Sequence, residues 1–306
     1  MFKETLKDFC TELLTADFSQ EAPAVLRPAL RYKTFRLWQQ DAPFQDKEKD
    51  AQPQLDDNSR NDGKLRRHNI SEPSIVFAPT ASLQKAPAVL VCPGGGYNYT
   101  SFEAEGYALC SYFNAMGFSA FLLNYRCPQQ RQAAFADAAR AMRFIRFHAD
   151  EFNVSANQIG AIGFSAGGHL AAIISAPANE PYTPQDEIDK MPFIPDYAAL
   201  IYPAYLVTED LKISPEFSIT EKTPPTLLIQ TEDDGIRVEN SLFWYKALKD
   251  AGVKAEMHLY ECGGHGYGIE DRPGIPVSGW QVPAEKWFKL RVEKIRVPAF
   301  STEVVS

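Results

Sequence analysis

One serine of the chain stands in a pattern that could make it a nucleophile. Residues 159–163 read as a short apolar strand, and Ser165 follows between Gly163 and Gly167, just before an alanine-rich stretch. Glycines at these two positions leave room for a strand to turn sharply into a helix. The positive N-terminal end of that helix favours negative charge beside the serine. The pattern therefore predicts a strained turn that lifts the Ser165 hydroxyl off the sheet edge.

A serine nucleophile needs a base, and the chain has five histidines. We expect His265 to be this base, because it lies among glycines just after a predicted strand that ends at residue 260. Ligands and catalytic groups gather at the carboxyl ends of strands in open α/β sheets. His169 lies one helical turn after Ser165 and is expected to be a buried structural histidine. The other three lie in a polar loop, a long helix and a strand: His68, His148 and His258.

Besides the serine and the histidine base, a third side chain is needed: an acid that orients the histidine. Residues 231–235 hold three adjacent acids and follow the apolar stretch 226–230. They lie between the serine and the histidine in the chain, which is the usual order when a nucleophilic serine lies on a strand-to-helix turn of an α/β sheet. Spacing alone leaves Glu232, Asp233 and Asp234 as alternatives.

Backbone donors for a developing oxyanion are predicted in the glycine run at residues 94–96. The run follows a predicted strand at 88–92, and glycines leave backbone N–H groups unobstructed. The N–H of Ala166 is the second expected donor. The run has neither the Gly-Lys-Ser/Thr ending nor the spacing of a nucleotide-binding loop, so a phosphate site is disfavoured.

Strands alternate with helices from residue 74 onward, which is typical of an α/β fold with a mostly parallel sheet. The expected strands are 31–37, 74–78, 88–92, 118–125, 158–163, 197–202, 226–230 and 255–260. The expected helices are 102–116, 131–152, 165–175, 239–251 and 282–292.

The remaining segments complete the predicted domain organisation. Residues 1–30 are expected to form an amphipathic helix and a link, and residues 31–306 one domain. The stretch 39–67 is charged and poor in apolar residues, which predicts a long solvated loop. Segments 177–194 and 204–223 carry prolines and acids without clear periodicity and are expected to be cap-like, substrate-facing insertions.

Composition excludes several function classes. The chain has 306 residues, 45% of them hydrophobic, and a net charge of -8, which disfavours nucleic acid and anionic membrane surfaces as partners. It has no apolar run near the roughly 18–20 residues of a membrane span. The N-terminal pattern favours an amphipathic helix over a signal peptide. Five scattered cysteines without a Cys-x-x-Cys pair indicate reduced thiols in a cytoplasmic protein, with no metal and no cofactor.

Together these motifs resemble the α/β-hydrolase superfamily over roughly residues 37–290. More narrowly, the sequence is similar to the acetyl-xylan esterase and carbohydrate-esterase-like group of bacterial serine esterases. The motifs that carry the narrower resemblance are Leu-Trp at 37–38, Ala-Pro at 42–43, Pro-Gly-Gly-Gly-Tyr at 93–97, Leu-Asn-Tyr-Arg at 123–126, Gly-Phe-Ser-Ala-Gly-Gly-His at 163–169 and Gly-His-Gly at 264–266.

The resemblance implies an α/β-hydrolase fold with helices on both sides of the sheet and short cap insertions. It also implies roles for particular residues. Asp233, the first of the paired aspartates, would be the acid of a Ser165–His265–Asp233 triad. Gly95, Gly96 and Ala166 would supply the oxyanion hole, with Gly94 as a competing donor.

The expected function is hydrolysis of a carboxylic ester through an acyl-enzyme, with a short acyl group such as acetyl. The expected partner is a small-molecule ester, with an acetylated sugar as one candidate, and a homo-oligomer is left open. Aromatic faces could stack on a sugar; the residues considered are Tyr97 and Tyr267, with Tyr99 and Trp280.

Three alternatives share the fold. A serine peptidase of the prolyl-oligopeptidase kind would use the same order of residues, but usually has a large propeller before the hydrolase domain. A lipase would need an apolar lid. A non-catalytic binding protein would normally have lost one of the three side chains.

Overall fold

Ten strands form the framework of the described part of the protein. The computed structural model describes residues 32–39, 41–58 and 60–293. The strands are β1 (Lys33–Arg36), β2 (Leu55–Asp57), β3 (Arg66–His68), β4 (Ser74–Ala78), β5 (Ala86–Cys92), β6 (Ser119–Asn124), β7 (Val154–Phe164), β8 (Ala198–Ile201), β9 (Thr226–Thr231) and β10 (Ala255–Tyr260). Eight of them form one sheet in the order β1-β4-β6-β5-β7-β8-β9-β10, and β2 pairs with β3.

The helices cover both faces of this sheet. They are α1 (Lys47–Asp50), α2 (Ala108–Ala115), α3 (Arg131–Phe147), α4 (Ala166–Ser175), α5 (Glu239–Asp250) and α6 (Gln281–Val292). A π-helical turn, Glu103–Tyr107, leads into α2, so the predicted helix 102–116 forms in two parts.

From β6 to β10 the sheet is parallel, and only β1 and β4 run antiparallel to their neighbours. The strands are apolar on both faces because both faces are covered. Along β5, Leu90 faces the core that includes α3 and α4, whereas Val89 and Val91 face the core that includes α2 and α6. The prediction of a mostly parallel α/β sheet is confirmed.

The stretch 39–67 differs from the predicted solvated loop. It contains α1 and β2, and β3 begins at its end. We call residues 52–68 the N-terminal arm. Its C-terminal end is paired, since Arg67 binds Asp56 and exchanges backbone hydrogen bonds of 3.0 and 2.8 Å with Thr100, whereas most of the described residues in 52–63 are exposed. These short charged strands carry no apolar alternation, so their pattern could not be distinguished from that of a loop.

Segment 177–194 packs on α3 through buried charges. The Arg140 guanidinium binds Asp186 and Asp189 at 2.6–2.7 Å, and its side chain is 1% exposed. The segment also touches the second predicted insertion through a bridge between Pro177 and Phe217. The role of these two segments as a cap stays a prediction.

The amphipathic helix predicted for residues 1–30 lies outside the described residues. Among the helices of residues 32–293, none has the length and apolar character needed to cross a membrane.

Candidate active site

Ser165 occupies the turn between β7 and α4. Its φ of 53° lies in the left-handed region, where a serine is strained. A Cβ on Gly163 would come within 2.0 Å of the Gly167 carbonyl oxygen, and a Cβ on Gly167 within 2.0 Å of the Cys92 carbonyl oxygen. Gly163 is therefore required for the tight turn itself and Gly167 for its close approach to β5, and the turn presents the hydroxyl at the sheet edge.

His265 reaches Ser165 from the loop that follows β10. Its Nε2 lies 2.8 Å from the Ser165 Oγ, a hydrogen-bond distance. The loop turns through Gly264 and Gly266, which have φ values of 66° and 76°. The His265 side chain is 28% exposed and lines the same cavity as Ser165.

The acid that faces His265 is Asp234, and the prediction of Asp233 is wrong. Both carboxylate oxygens of Asp234 lie 2.9 Å from His265 Nδ1, and the side chain is fully buried. Asp234 also accepts hydrogen bonds from Gln230 Nε2 at 3.0 Å and from the Ile236 N–H at 2.7 Å. Two donors besides the imidazole therefore hold the Asp234 carboxylate in place.

The Asp233 carboxylate instead binds the backbone of the loop that carries His265. It accepts the N–H groups of Gly263 and Gly264 at 3.1 and 2.8 Å, and these bonds lower the pKa of its carboxyl, Gly264 more than Gly263. Adjacent residues after a strand point in different directions, so one position decides which acid meets the imidazole. Spacing alone could not resolve that choice.

The glycine run supplies backbone donors beside Ser165. Gly95 and Gly96 have φ values of 134° and 64° and line the cavity at Ser165. Their N–H groups have no acceptor among residues 32–39, 41–58 and 60–293. Ala166 is the first residue of α4, and first-turn N–H groups have no partner within a helix. The N–H of Gly94 donates to Glu105 Oε2 at 2.7 Å, so it is already occupied.

Glu105 connects this loop to the histidine loop, and sequence reasoning missed it. Its Oε1 accepts the Tyr202 hydroxyl at 2.7 Å, and that hydroxyl accepts the Gly268 N–H at 2.9 Å. Burial raises the pKa of the Glu105 carboxyl, and the hydrogen bonds from the Tyr202 hydroxyl and the Gly94 N–H oppose this shift. The sequence signal was an acid at a predicted helix position shortly after the glycine run.

The cavity at Ser165 has a volume of about 410 Å³ and is walled on one side by the N-terminal arm. No residue of segments 177–194 and 204–223 lines it, although both were expected to face the substrate. Its apolar side chains are those of Ala104 and Tyr99, and the rest of its wall is polar or glycine.

Of the aromatic residues predicted to stack on a sugar, Tyr99 alone lines this cavity. Tyr97 is 1% exposed, and Tyr267 is 2% exposed and packs edge-on against Tyr202. Trp280 is 1% exposed and donates to the Gly268 carbonyl at 2.8 Å. The stacking prediction is wrong for these three, because their rings fill the core beneath the loops.

His169 is the satisfied buried histidine that the sequence predicted. Its Nδ1 lies 2.6 Å from the Tyr97 hydroxyl, and its Nε2 lies 2.6 Å from Glu216 Oε1. Burial lowers the pKa of the imidazole. The neutral ring fits both partners if Tyr97 donates to Nδ1 and Nε2 donates to Glu216.

Potential metal ligands do not cluster in the described part of the chain, where no three His, Cys, Asp or Glu side chains are placed to hold an ion. Four cysteines are free thiols: Cys92, Cys110, Cys127 and Cys262. Cys10 lies outside the described residues.

The sheet order, the strained serine turn and the histidine that meets it are those of an α/β hydrolase. Comparison with known proteins narrows this class. Residues 75–192 match the family BD-FAE. A solved structure, the acetyl ester-xyloside bifunctional hydrolase from Caldicellulosiruptor lactoaceticus, is 30% identical with a TM-score of 0.69, covering 84% of this chain and 95% of that one.

Two curated relatives point the same way. The acetylxylan esterase of Xylanibacter ruminicola is 30% identical over 239 residues, which cover 67% of this chain and 48% of that protein. Endo-1,4-beta-xylanase B of Butyrivibrio fibrisolvens is 28% identical over 222 residues, covering 64% of this chain and 34% of that protein. The chain thus spans half or less of these relatives' length. It belongs to the α/β-hydrolase superfamily and, within it, to the acetyl-xylan esterase-like group of serine esterases.

Proposed function

We propose that this protein is a serine carboxylic-ester hydrolase that removes short acyl groups, acetyl above all, from a sugar or another small alcohol. The observation that carries the proposal is the continuous line from Ser165 Oγ to His265 Nε2 at 2.8 Å and from His265 Nδ1 to Asp234 at 2.9 Å. A hydroxyl, an imidazole and a buried carboxylate in this order are the parts of nucleophilic acyl transfer.

The proposed mechanism has two halves. Ser165 Oγ attacks the ester carbonyl while His265 Nε2 takes the hydroxyl proton, and Asp234 stabilises the imidazolium. The oxyanion is stabilised by N–H groups of Gly95 or Gly96 and of Ala166. The C–O bond to the alcohol then breaks and His265 protonates the leaving oxygen. Water, deprotonated by His265, then attacks the acyl carbonyl, the bond from the acyl carbon to Ser165 Oγ breaks, and His265 returns the proton to Ser165 Oγ as the acid leaves.

The cavity wall supports a short acyl group and a polar alcohol part. A long acyl chain would need an apolar wall, and apolar side chains line this cavity only at Ala104 and Tyr99 among the described residues. The related acetylxylan esterase and acetyl ester-xyloside hydrolase suggest an acetylated sugar as the substrate. These features also make a lipase the weaker alternative.

A chain-length and sugar-ester panel tests the proposal. Purified protein would be assayed with acetyl, butyryl and octanoyl p-nitrophenyl esters and with acetylated xylose and cellobiose. We expect kcat/KM to fall with chain length and the acetylated sugars to be hydrolysed. Turnover of aminoacyl or proline amides without turnover of esters would favour a peptidase and contradict the proposal.

We further infer that the protein works in the cytoplasm. The inference rests on the sequence pattern of unpaired cysteines and on free thiols at the four described ones. Fractionation of the source cells with an antibody against the chain tests it, and recovery outside the cytoplasm would contradict it.

A further inference from the structure

The cavity at Ser165 is rich in positive charge although the whole chain carries a net charge of -8. Three cations come from the N-terminal arm, and a fourth follows the histidine loop. These four are Arg60, Lys64, Arg66 and Arg272. The carboxylates that line the same cavity are Asp62 and Glu105. The cavity therefore differs in sign from the average surface of the molecule.

The carboxylates near these cations do not neutralise them. Arg66 binds Asp62 through hydrogen bonds of 3.0 and 2.6 Å. Lys64 and Arg272 share one carboxylate, that of Glu270.

Arg60, the fourth cation, has no carboxylate partner among residues 32–293. The remaining lining carboxylate, Glu105, is buried and engaged by Gly94 and Tyr202. With Glu105 engaged in this way, the four cations are balanced by two carboxylates only, those of Asp62 and Glu270.

The arm that carries three of these cations is held against the core. The arm is tied to the core by the Leu65 N–H, which donates to Glu103 Oε2 at 2.7 Å, and by the backbone pairing of Arg67 with Thr100. The Arg60 and Arg66 guanidinium groups lie 5.5 and 5.8 Å from the centre of the Tyr99 ring, within cation–π range.

We propose that this cavity selects esters whose alcohol part carries a carboxylate, such as an acylated acidic sugar. The inference rests on the proposed esterase function, because it places the ester carbonyl at Ser165 and the carboxylate against the cationic wall. The planar edge of a guanidinium matches a carboxylate better than it matches a neutral hydroxyl. Tyr99 offers a flat face to the sugar ring between these two ends.

A pair of matched substrates tests the inference. The first is an acetylated methyl glucuronoside with its free carboxylate, and the second is the same compound with the carboxylate replaced by an uncharged amide. We expect kcat/KM to be about tenfold higher for the carboxylate, the factor of one charge-assisted hydrogen bond. The ratio should fall as salt is raised, because screening weakens the attraction of exposed charges.

Two matched variants locate the effect. Arg60→Gln should lower the ratio of the two kcat/KM values towards one. Arg36→Gln, which removes an exposed arginine that pairs with Glu72 outside the cavity, should leave the ratio unchanged. Because both substrates are measured on one sample, the ratio does not depend on the folded fraction.

Equal kcat/KM values for carboxylate and amide in the wild-type protein would overturn the inference, as would equal effects of the two variants. Hydrolysis of p-nitrophenyl acetate is measured alongside. If it proceeds while the ratio is one, only the inference about the anion fails. If no ester is hydrolysed at all, the proposed function fails and the inference falls with it.

Discussion

Two histidines of the molecule each lie between a hydroxyl and a carboxylate, and they stand on either side of the same glycine run. His265 connects Ser165 to Asp234 at 2.8 and 2.9 Å, whereas His169 connects Tyr97 to Glu216 at 2.6 Å on both sides. The two sets of residues also touch each other, because the His169 N–H donates a hydrogen bond to the Ser165 carbonyl. The same three chemical groups therefore occur twice.

The two sets differ in the hydroxyl itself and in the backbone donors that lie beside it. Ser165 opens onto the cavity that Gly95 and Gly96 also line. Tyr97 is 1% exposed, and burial holds the pKa of its phenol well above 10.0. The comparison teaches that a hydroxyl–imidazole–carboxylate set can act on a substrate only where the hydroxyl and oxyanion donors share open space. The Tyr97 set instead holds the residue next to Gly96 in place.

The largest expected effect separates the two hydroxyls. Ser165→Ala should lower kcat for p-nitrophenyl acetate by about 10⁴-fold or more, because it removes the nucleophile. Tyr97→Phe should keep kcat within about tenfold and lower the free energy of unfolding by about 1–3 kcal/mol, because it leaves a buried ring nitrogen unpaired. Steady-state kinetics and urea unfolding of both variants check this. Comparable losses of kcat would remove the distinction between the lines.

The two adjacent aspartates sharpen the comparison next. Asp234→Asn should lower kcat by about 10⁴-fold, because the amide no longer holds the tautomer or stabilises the imidazolium. Asp233→Asn keeps one acceptor for the loop N–H groups and should cost far less, about tenfold, through displacement of the His265 loop. Kinetics of the two variants side by side measure the contrast. A larger loss for the Asp233 variant would restore the sequence-based assignment.

Glu105 is a positioning residue, and its effect should be intermediate. The Glu105 carboxylate accepts hydrogen bonds from both Tyr202 and Gly94, whereas a glutamine side chain has one acceptor oxygen and one NH₂ group. Glu105→Gln should therefore lose one of these bonds and shift the glycine run relative to the histidine loop. Misplacement of this kind costs about 10²-fold at most. We expect the loss in kcat with little change in KM, whereas the exposed control Glu285→Gln should match the wild type. A KM change with kcat unaltered would mean that Glu105 acts on substrate binding alone.

The smallest expected effect is on the pH dependence of stability, through the buried His169. Burial lowers the pKa of His169, with Arg131 adding to the shift and Glu216 opposing it. The unfolded chain therefore binds the proton more readily than the folded one, and stability falls as pH drops below about 6.5.

The melting temperature (Tm) of His169→Gln compared with that of the wild type isolates this contribution. The wild-type advantage should be smaller at pH 5 than at pH 7. An advantage that grows on acidification would contradict the neutral ring.

The regular part of the fold was predictable because each core strand is a short apolar run between turn residues. The strands β5 to β10 and the helices between them were all expected near their observed positions. The N-terminal arm was missed because its two short strands consist largely of charged residues. Their stability comes from distant partners such as Thr100 and Glu103, and contacts of this kind leave no local pattern.

The residues of the site also fall into those that could be predicted from the sequence and those that could not. The positions of Ser165 and His265 could be expected from glycine spacing, which reflects local steric needs. Whether Asp233 or Asp234 faces the imidazole depends on side-chain direction, which spacing does not encode. The buried Tyr97 and Tyr267 show the opposite error, since an aromatic residue beside a catalytic motif can belong to the core beneath it.

The most direct test of the central claim is to find the residue that becomes covalently modified by an organophosphate ester. Wild-type protein treated with diethyl p-nitrophenyl phosphate would be digested and its peptides examined by mass spectrometry. The account predicts one diethylphosphoryl group per chain, on Ser165, formed in step with the loss of esterase activity and absent from Ser165→Ala. Loss of activity with Ser165 unmodified and the phosphoryl group on another residue would contradict it.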